Sequence, residues 1–463
     1  MRIPPRVLLF CASCCIPVLS IAQTVSLPGV PVNAARLGYA DRKPVKVSNV
    51  AAGYQVNDIT ISAKTGKLVN GASGTAHITA NRNAATDAGS NNNFDLGETR
   101  NNQPTIDGLN TVATFDGAFV AEAGSSENGN FRFTMIGNDP RVGGTTVLPA
   151  NIDEVSLQLL NADGSVFKTV SYAPFEQATL NSPNFVPLDY RSGHNIEYAD
   201  AVQRAEFYHT MKNNWHTVLF PQVVNRVTVA VPYNVNIQLD NGDIVKARSY
   251  FTGTASDGNT YVLMLSPLFN VLWDNEVVNE INLGNFTTNS INATLFPNTF
   301  LFDLNTSNPN APGNCCAGGF HTYFLEGDVF PQPRWITEFA SWVSPGLLGA
   351  GVQDAIALSH ETNEAFDDPF LDNATPNWQF PGQPANSTFC QANLEDGDPI
   401  EGLANSTSAI PVKQGGKTIV YHPQNIVLYQ WFEMGATSSA IDGAFSFPNE
   451  TVLPTSAVPC PGS

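Results

Sequence analysis

His360, Glu361 and Glu364 stand in the string Leu358-Ser359-His360-Glu361-Thr362-Asn363-Glu364-Ala365-Phe366-Asp367-Asp368-Pro369. On a helix, residues four apart share a face one turn apart. His360 and Glu364 would then grip one cation, with Asp367 following on nearly the same side. Glu361 would sit beside the ion, placed to take a proton from metal-bound water. This is the H-E-x-x-H pattern of zinc metallopeptidases with glutamate in place of the second histidine. The exchange makes the site more anionic and opens it, beyond zinc, to manganese or calcium. Pro369 marks the end of the helix.

The surrounding composition points the same way. Between Trp335 and Val412 there are eleven acids and no lysine or arginine. Carboxylates crowded without basic partners repel one another unless water or a cation neutralises them. A further ligand is expected from Leu394-Glu395-Asp396-Gly397-Asp398-Pro399, about 31 residues past Glu364. Its E-x-x-D spacing offers one ligand and one carboxylate that orients His360, from Glu395 and Asp398 in either order. His321, just past Cys315-Cys316-Ala317-Gly318-Gly319-Phe320, is a candidate transition-state donor or further ligand. His422 reads as a contact at the start of the last helix, and His77, His194, His209 and His216 as structural or surface residues. Asp87, Asp95 and Glu98 could hold calcium but lack EF-hand spacing, so residues 81–103 read as a solvated loop.

Several elements must position these groups. Helices are expected at 198–212, where Ala201, Ala205 and Tyr208 recur at helical spacing, and at 333–342, 352–366 and 423–433; the third carries the chemistry. Strands are expected at 58–62, 111–115 and 130–134, then in a hairpin of 155–159 and 166–170 around Asn161-Ala162-Asp163-Gly164. More follow at 227–231, 235–239, 244–250 and 260–265. No internal repeat is present. The fold class read from this order is α+β, with a leader over 1–22, a β-rich N-terminal module over 23–141, an α+β domain over 142–447 and a tail over 448–463.

The leader has a basic start, Met1-Arg2-Ile3-Pro4-Pro5-Arg6, an apolar run over 7–21 and small residues at Ser20-Ile21-Ala22. That is the pattern of an export signal, and the run is short for a membrane span. The chain is therefore expected outside the cytoplasm: secreted, periplasmic or at the cell surface, with no membrane span once the signal is removed. Cys11, Cys14 and Cys15 leave with the leader; Cys315, Cys316, Cys390 and Cys460 remain, which suggests two disulfides. Adjacent Cys315 and Cys316 are expected to bridge outward rather than to each other. The full chain carries 41 acids against 22 bases, a net charge of −19, which excludes a nucleic-acid partner. With 42% hydrophobic and 10% aromatic residues, disorder is excluded too.

The strings CCAGGFHTYF, ALSHETNEAFDDPF, NATPNW, CQANLEDGDPIEG and YHPQNIVLYQWF together resemble a group of exported bacterial proteins related to the phosphate-induced, EXORDIUM-like proteins. Bacterial relatives carry a "HELAEA-TDP" helix followed by an "E-[IV]-x-D" strand. The resemblance spans roughly residues 140–447. It implies a zincin-like metallopeptidase fold and site on His360, Glu361, Glu364 and the Glu395/Asp398 pair. Plant members of the group, growth-related cell-wall proteins, lack the H-E pair that this sequence keeps.

The expectation is an exported zinc-dependent hydrolase, most simply a peptidase, acting on a protein, peptide or cell-wall polymer. The alternative is a non-catalytic extracellular binding protein in which the same residues hold a structural cation. No G-x-S-x-G elbow or phosphate-binding glycine loop supports another catalytic class.

Overall fold

The computed structural model describes residues 45–46, 59–64, 67–69, 111–121, 129–190, 195–326, 332–349, 351–383 and 390–460. The leader, the 81–103 loop with Asp87, Asp95 and Glu98, and His77 and His194 lie outside them. The largest sheet has seven strands: β1 (Val45–Lys46), β2 (Thr145–Leu160), β3 (Val166–Val170), β4 (His216–Val231), β5 (Ile291–Pro297), β6 (Gly319–Leu325) and β7 (Arg334–Trp342). Their order is β1-β6-β7-β5-β2-β3, with β4 on the other edge of β2. β2 and β4 run parallel over 16 residues each, and β5 is parallel to both β2 and β7. β3 returns antiparallel along β2 through the Asn161–Gly164 turn, where Gly164 takes φ +82°. β6 is antiparallel to β7.

Four helices accompany the strands among the described residues: α1 (Glu176–Leu180), α2 (Tyr198–Glu206), α3 (Ser266–Leu283) and α4 (Ile356–Asp367). Successive strand side chains point to opposite faces, and the core divides accordingly. On one face Phe320, Phe324, Trp335, Phe339 and Val343 pack with Leu268, Phe269, Trp273 and Val277 of α3. Here the Phe269 and Phe339 ring centroids are 4.4 Å apart. On the other, Ile291, Ala293, Leu295, Ile336 and Ala340 pack with Ala357, Leu358, Ala365 and Phe366 of α4. Each fully buried aliphatic or aromatic side chain contributes roughly 1.5–3 kcal/mol, so α4 is held by its burial rather than by helix propensity.

The α+β, zincin-like expectation is corrected. Of the described residues 42% lie in strands and 16% in helices, so the framework is mostly β-sheet. The expected helix at 333–342 is strand β7. Ile336, Phe339, Ala340 and Val343 do recur at helical spacing, but the strand sends Ile336 and Ala340 to one core and Phe339 and Val343 to the other. A strand buried on both faces shows no polar alternation to betray it. The expected helix at 423–433 is a two-residue strand, Ile426–Val427, and a 3-10 turn, Tyr429–Trp431. Its backbone N–H groups are spent elsewhere: Val427 donates to Asp396 O and Leu428 to Phe445 O. The helix at 198–212 stops at Glu206.

Two short strands before residue 141 pair with strands from further along the chain, and a hairpin packs against later segments. Val45–Lys46 lies parallel to β6, and Thr60–Ser62 lies parallel to Asn234–Gln238. The hairpin of Thr114–Val120 and Asn130–Ile136 packs Phe115, Phe119, Phe133 and Met135 against Trp215, Trp378, Trp431 and Phe432. Two cysteine pairs lie at disulfide distance, Cys390–Cys460 and Cys315–Cys316. The outward bridging expected of the adjacent cysteines is thus corrected: Cys390 and Cys460, with Cα atoms 6.1 Å apart, take each other. Among the described residues no helix is long and apolar enough to cross a membrane.

Candidate metal centre

α4 starts at Ile356 because Asp354, at φ +54°, turns the chain just before it. The Asp354 carboxylate is engaged by His422, through Nδ1 at 2.8 Å and the backbone N–H at 3.1 Å. Ser359 Oγ accepts the Gln424 N–H at 2.9 Å, which binds the helix to the 422–427 segment. Past the helix, Asp368 Oδ1 accepts the N–H groups of Asp372 and Asn373 at 3.0 and 3.1 Å and bends the chain away. All twelve residues of α4 are buried.

The sheet provides the opposite wall. In the β6/β7 ladder His321 lies opposite Glu338, and alternation aims both at α4. Thr362 Oγ1 of α4 donates to Glu338 Oε2 at 3.2 Å. The third wall is the 394–401 segment, with its 3-10 turn Asp398–Ile400.

Within this enclosure the six residues singled out from the sequence converge. His360 Nε2 lies 2.9 Å from Glu364 Oε1, 3.8 Å from Asp398 Oδ1 and 3.9 Å from Glu361 Oε1. His321 Nδ1 lies 3.3 Å from Glu364 Oε2, 3.8 Å from Glu395 Oε2 and 3.9 Å from Glu361 Oε2. Two trios have ligand atoms within 4.8 Å of one another, His360/Glu364/Asp398 and His321/Glu361/Glu364. Buried His, Glu and Asp groups are therefore close enough to hold a metal ion. The chemistry fits as well: His360 Nε2, Glu364 Oε1 and both Glu361 oxygens are buried without a hydrogen-bond partner, the 2.9 Å His360–Glu364 contact lacking hydrogen-bond alignment. Buried polar atoms left in this state are costly, and a cation would satisfy them.

The histidines are oriented from behind. His360 Nδ1 lies 3.1 Å from Gln424 Oε1, and Gln424 Nε2 donates to Gly397 O, which sets the amide's direction. His321 Nε2 lies 3.1 Å from the Asp368 carbonyl. Two glycines allow this density. A Cβ at Gly397 would lie 2.6 Å from His360 Nδ1, and one at Gly319 only 2.3 Å from Glu361 Oε1.

Burial alone would depress the pKa of His360 and His321, but the carboxylates outweigh it and raise both, Glu364 and Glu361 acting on His360 and Glu364 on His321. Burial would raise Glu364, yet His360 and His321 hold it well below the usual carboxylate range. Glu361 is raised far above that range by burial, and the neighbouring Glu364 and Glu338 add to the rise. Glu395 is raised by burial and by Glu364 and Asp398. Before an ion binds, protons occupy the centre; metal binding would release them.

Asp367, expected near the ligand face, turns instead towards Glu206 and Gln203, with burial pushing it up to about 7. His422 contacts Asp354 at the start of α4, His216 Nδ1 lies 2.8 Å from Asp200 Oδ2, and His209 is exposed. Sequence reasoning missed Gln424, Glu338, Glu401 (3.8 Å from His360 Nδ1) and Gln391, whose Nε2 donates to Asp398 Oδ2 at 2.9 Å. Glu338 and Glu401 did carry a signal, as members of the acidic stretch without a base, and Gly397 interrupts the acids of the 394–399 string; the two glutamines carried none. Comparison of the chain with protein-family models, curated proteins and solved structures finds no match.

Proposed function

We propose that the chain is an exported metal-dependent hydrolase, most simply a peptidase, whose ion is zinc held by His360 Nε2, Glu364 Oε1 and Asp398 Oδ1. The observation that supports this is Glu361. Its carboxylate is fully buried, neither oxygen has a hydrogen-bond partner, and it lies 3.9 Å from both His360 Nε2 and His321 Nδ1. A zinc ion bound there would polarise the scissile carbonyl and lower the pKa of water. Glu361 would accept the proton from the attacking water and return it to the leaving amine. His321 donates a hydrogen bond to the developing oxyanion. Gln424 and Gly397 fix the His360 ring, while Glu395 shapes the field around His321. The resemblance to bacterial EXORDIUM-like proteins agrees with this reading, and the export leader would deliver the enzyme to extracellular protein, peptide or cell-wall polymer.

A second reading, a binding protein with a structural cation, draws on burial: none of the six residues is more than 4% exposed. Glu361→Gln separates the two. A hydrolase loses peptide turnover while the zinc held at the His360 site, read by mass spectrometry after loading with one equivalent, stays at the wild-type level. If Glu361→Gln strips the metal or unfolds the chain, Glu361 is a ligand or structural acid and the hydrolase assignment fails.

A further inference from the structure

Glu364 faces two clusters rather than one. Its Oε1 is 2.9 Å from His360 Nε2, while its Oε2 is 3.3 Å from His321 Nδ1 on the other side. We propose that His321 Nδ1, Glu361 Oε2 and Glu364 Oε2 form a second divalent-cation position, bridged to the first through the Glu364 carboxylate. The proposal rests on the hydrolase reading in one respect: filling this position turns Glu361 from proton acceptor into ligand, so that excess metal inhibits.

Three features support it. The first is spacing. Ligand atoms around a tetrahedral ion bound at about 2.0–2.2 Å lie roughly 3.3–3.6 Å apart. His321 Nδ1 is 3.3 Å from Glu364 Oε2 and 3.9 Å from Glu361 Oε2, and Glu395 Oε2, at 3.8 Å from the same nitrogen, offers a fourth ligand.

The second is the orientation of both rings. A backbone carbonyl only accepts, so His321 Nε2, at 3.1 Å from Asp368 O, carries a hydrogen, and Nδ1, 3.3 Å from Glu364 Oε2, faces the carboxylates and becomes a ligand on giving up the proton it shares with Glu364. His360 is set in the opposite sense by Gln424, with Nε2 facing Glu364 and Asp398. Each histidine is thus prepared separately to ligate, on either side of one carboxylate.

The third is charge. Glu361, Glu364, Glu395 and Asp398 are all buried, and a single divalent ion offsets two of those four carboxylates, leaving the other two to keep their protons or stand uncompensated. A second divalent ion balances them. Glu361, with both oxygens unpartnered and aimed between the two histidines, stands where both ions could use it.

The test is zinc titration of the whole mature chain by calorimetry, with metal content read by mass spectrometry after dialysis against buffered zinc. Two steps are expected, the second weakened at least about tenfold by His321→Asn or by the near-isosteric Glu361→Gln while the first is unchanged. Loading with manganese adds a readout independent of activity: two bridged ions give an exchange-coupled electron paramagnetic resonance spectrum, whereas isolated ions do not. A single zinc equivalent in the wild type at saturation, or a second equivalent without coupling, overturns the proposal. Failure of the first site looks different, since the wild type then binds no zinc or His360→Ala leaves binding unchanged.

Discussion

Gly397 and the ring of His360 are in direct contact, and nothing larger than hydrogen fits between them: a Cβ would lie 2.6 Å from Nδ1 and 2.8 Å from Cγ. The backbone at Gly397 has φ −78° and ψ −38°, ordinary values for any residue. The glycine is required by space, not by backbone conformation. Gly397→Ala must displace either the His360 ring or the turn that carries Asp398. Zinc affinity, measured by competition with a chromophoric chelator, is expected to fall at least about tenfold with the fold retained. Unchanged affinity would remove Gly397 from the account of the site.

Gln424 acts on the same ring from the other nitrogen. It accepts from His360 Nδ1 at 3.1 Å and donates to Gly397 O, so one amide fixes both the ring and the turn. Gln424→Leu keeps the volume and removes both bonds. Metal affinity should drop about 10–100-fold, as for loss of a group that orients a metal-bound histidine. Far-ultraviolet circular dichroism should change little.

Away from the centre, Glu276 on α3 and Asp153 on β2 are buried with no hydrogen-bond partner for any carboxylate oxygen. Burial, aided by Glu280, pushes Glu276 up to about 8; burial and the neighbouring Glu276 and Glu280 carry Asp153 well above the carboxylate range. Folded-state values above the unfolded ones mean that the native chain holds protons the unfolded chain has released. The stabilisation is full below the unfolded value near 4.5 and is lost as pH rises through about 8. In chelator, the melting temperature should fall steadily from pH 5 to pH 8. Glu276→Gln, neutral at every pH, should flatten that slope, and an unchanged slope would show that this pair does not titrate with folding.

The Cys390–Cys460 bridge closes a loop with a sequence separation of 70, which contains Glu395 and Asp398. In the chain-entropy account, opening such a loop costs about 4 kcal/mol. Cys390→Ser/Cys460→Ser should melt at a clearly lower temperature and release zinc faster to a chelator. Equal metal off-rates in the two proteins would show that the bridge does not help hold the 394–401 wall in place.

Short-range order was legible in the amino-acid sequence. The helical register of His360, Glu361 and Glu364 depends on residues within one turn, and the hairpin of β2 and β3 depends on the Asn161–Gly164 turn between them. The clustering of Glu395 and Asp398 with that helix followed from the excess of acids lacking basic partners, a constraint that holds whatever the fold. Long-range order was not legible. Strand β7 imitates a helix because its two faces are buried in two different cores, and only the presence of α3 on one side and α4 on the other separates Phe339 from Ala340. The place of His321 beside Glu364 is set by its register opposite Glu338, and that of Gln424 by backbone bonds to Ser359 and Tyr198. A local pattern can name the groups able to bind a cation. Which way each ring faces, and that Glu364 lies between two of them, is decided by contacts among segments far apart in the chain, whose free energy no local window contains.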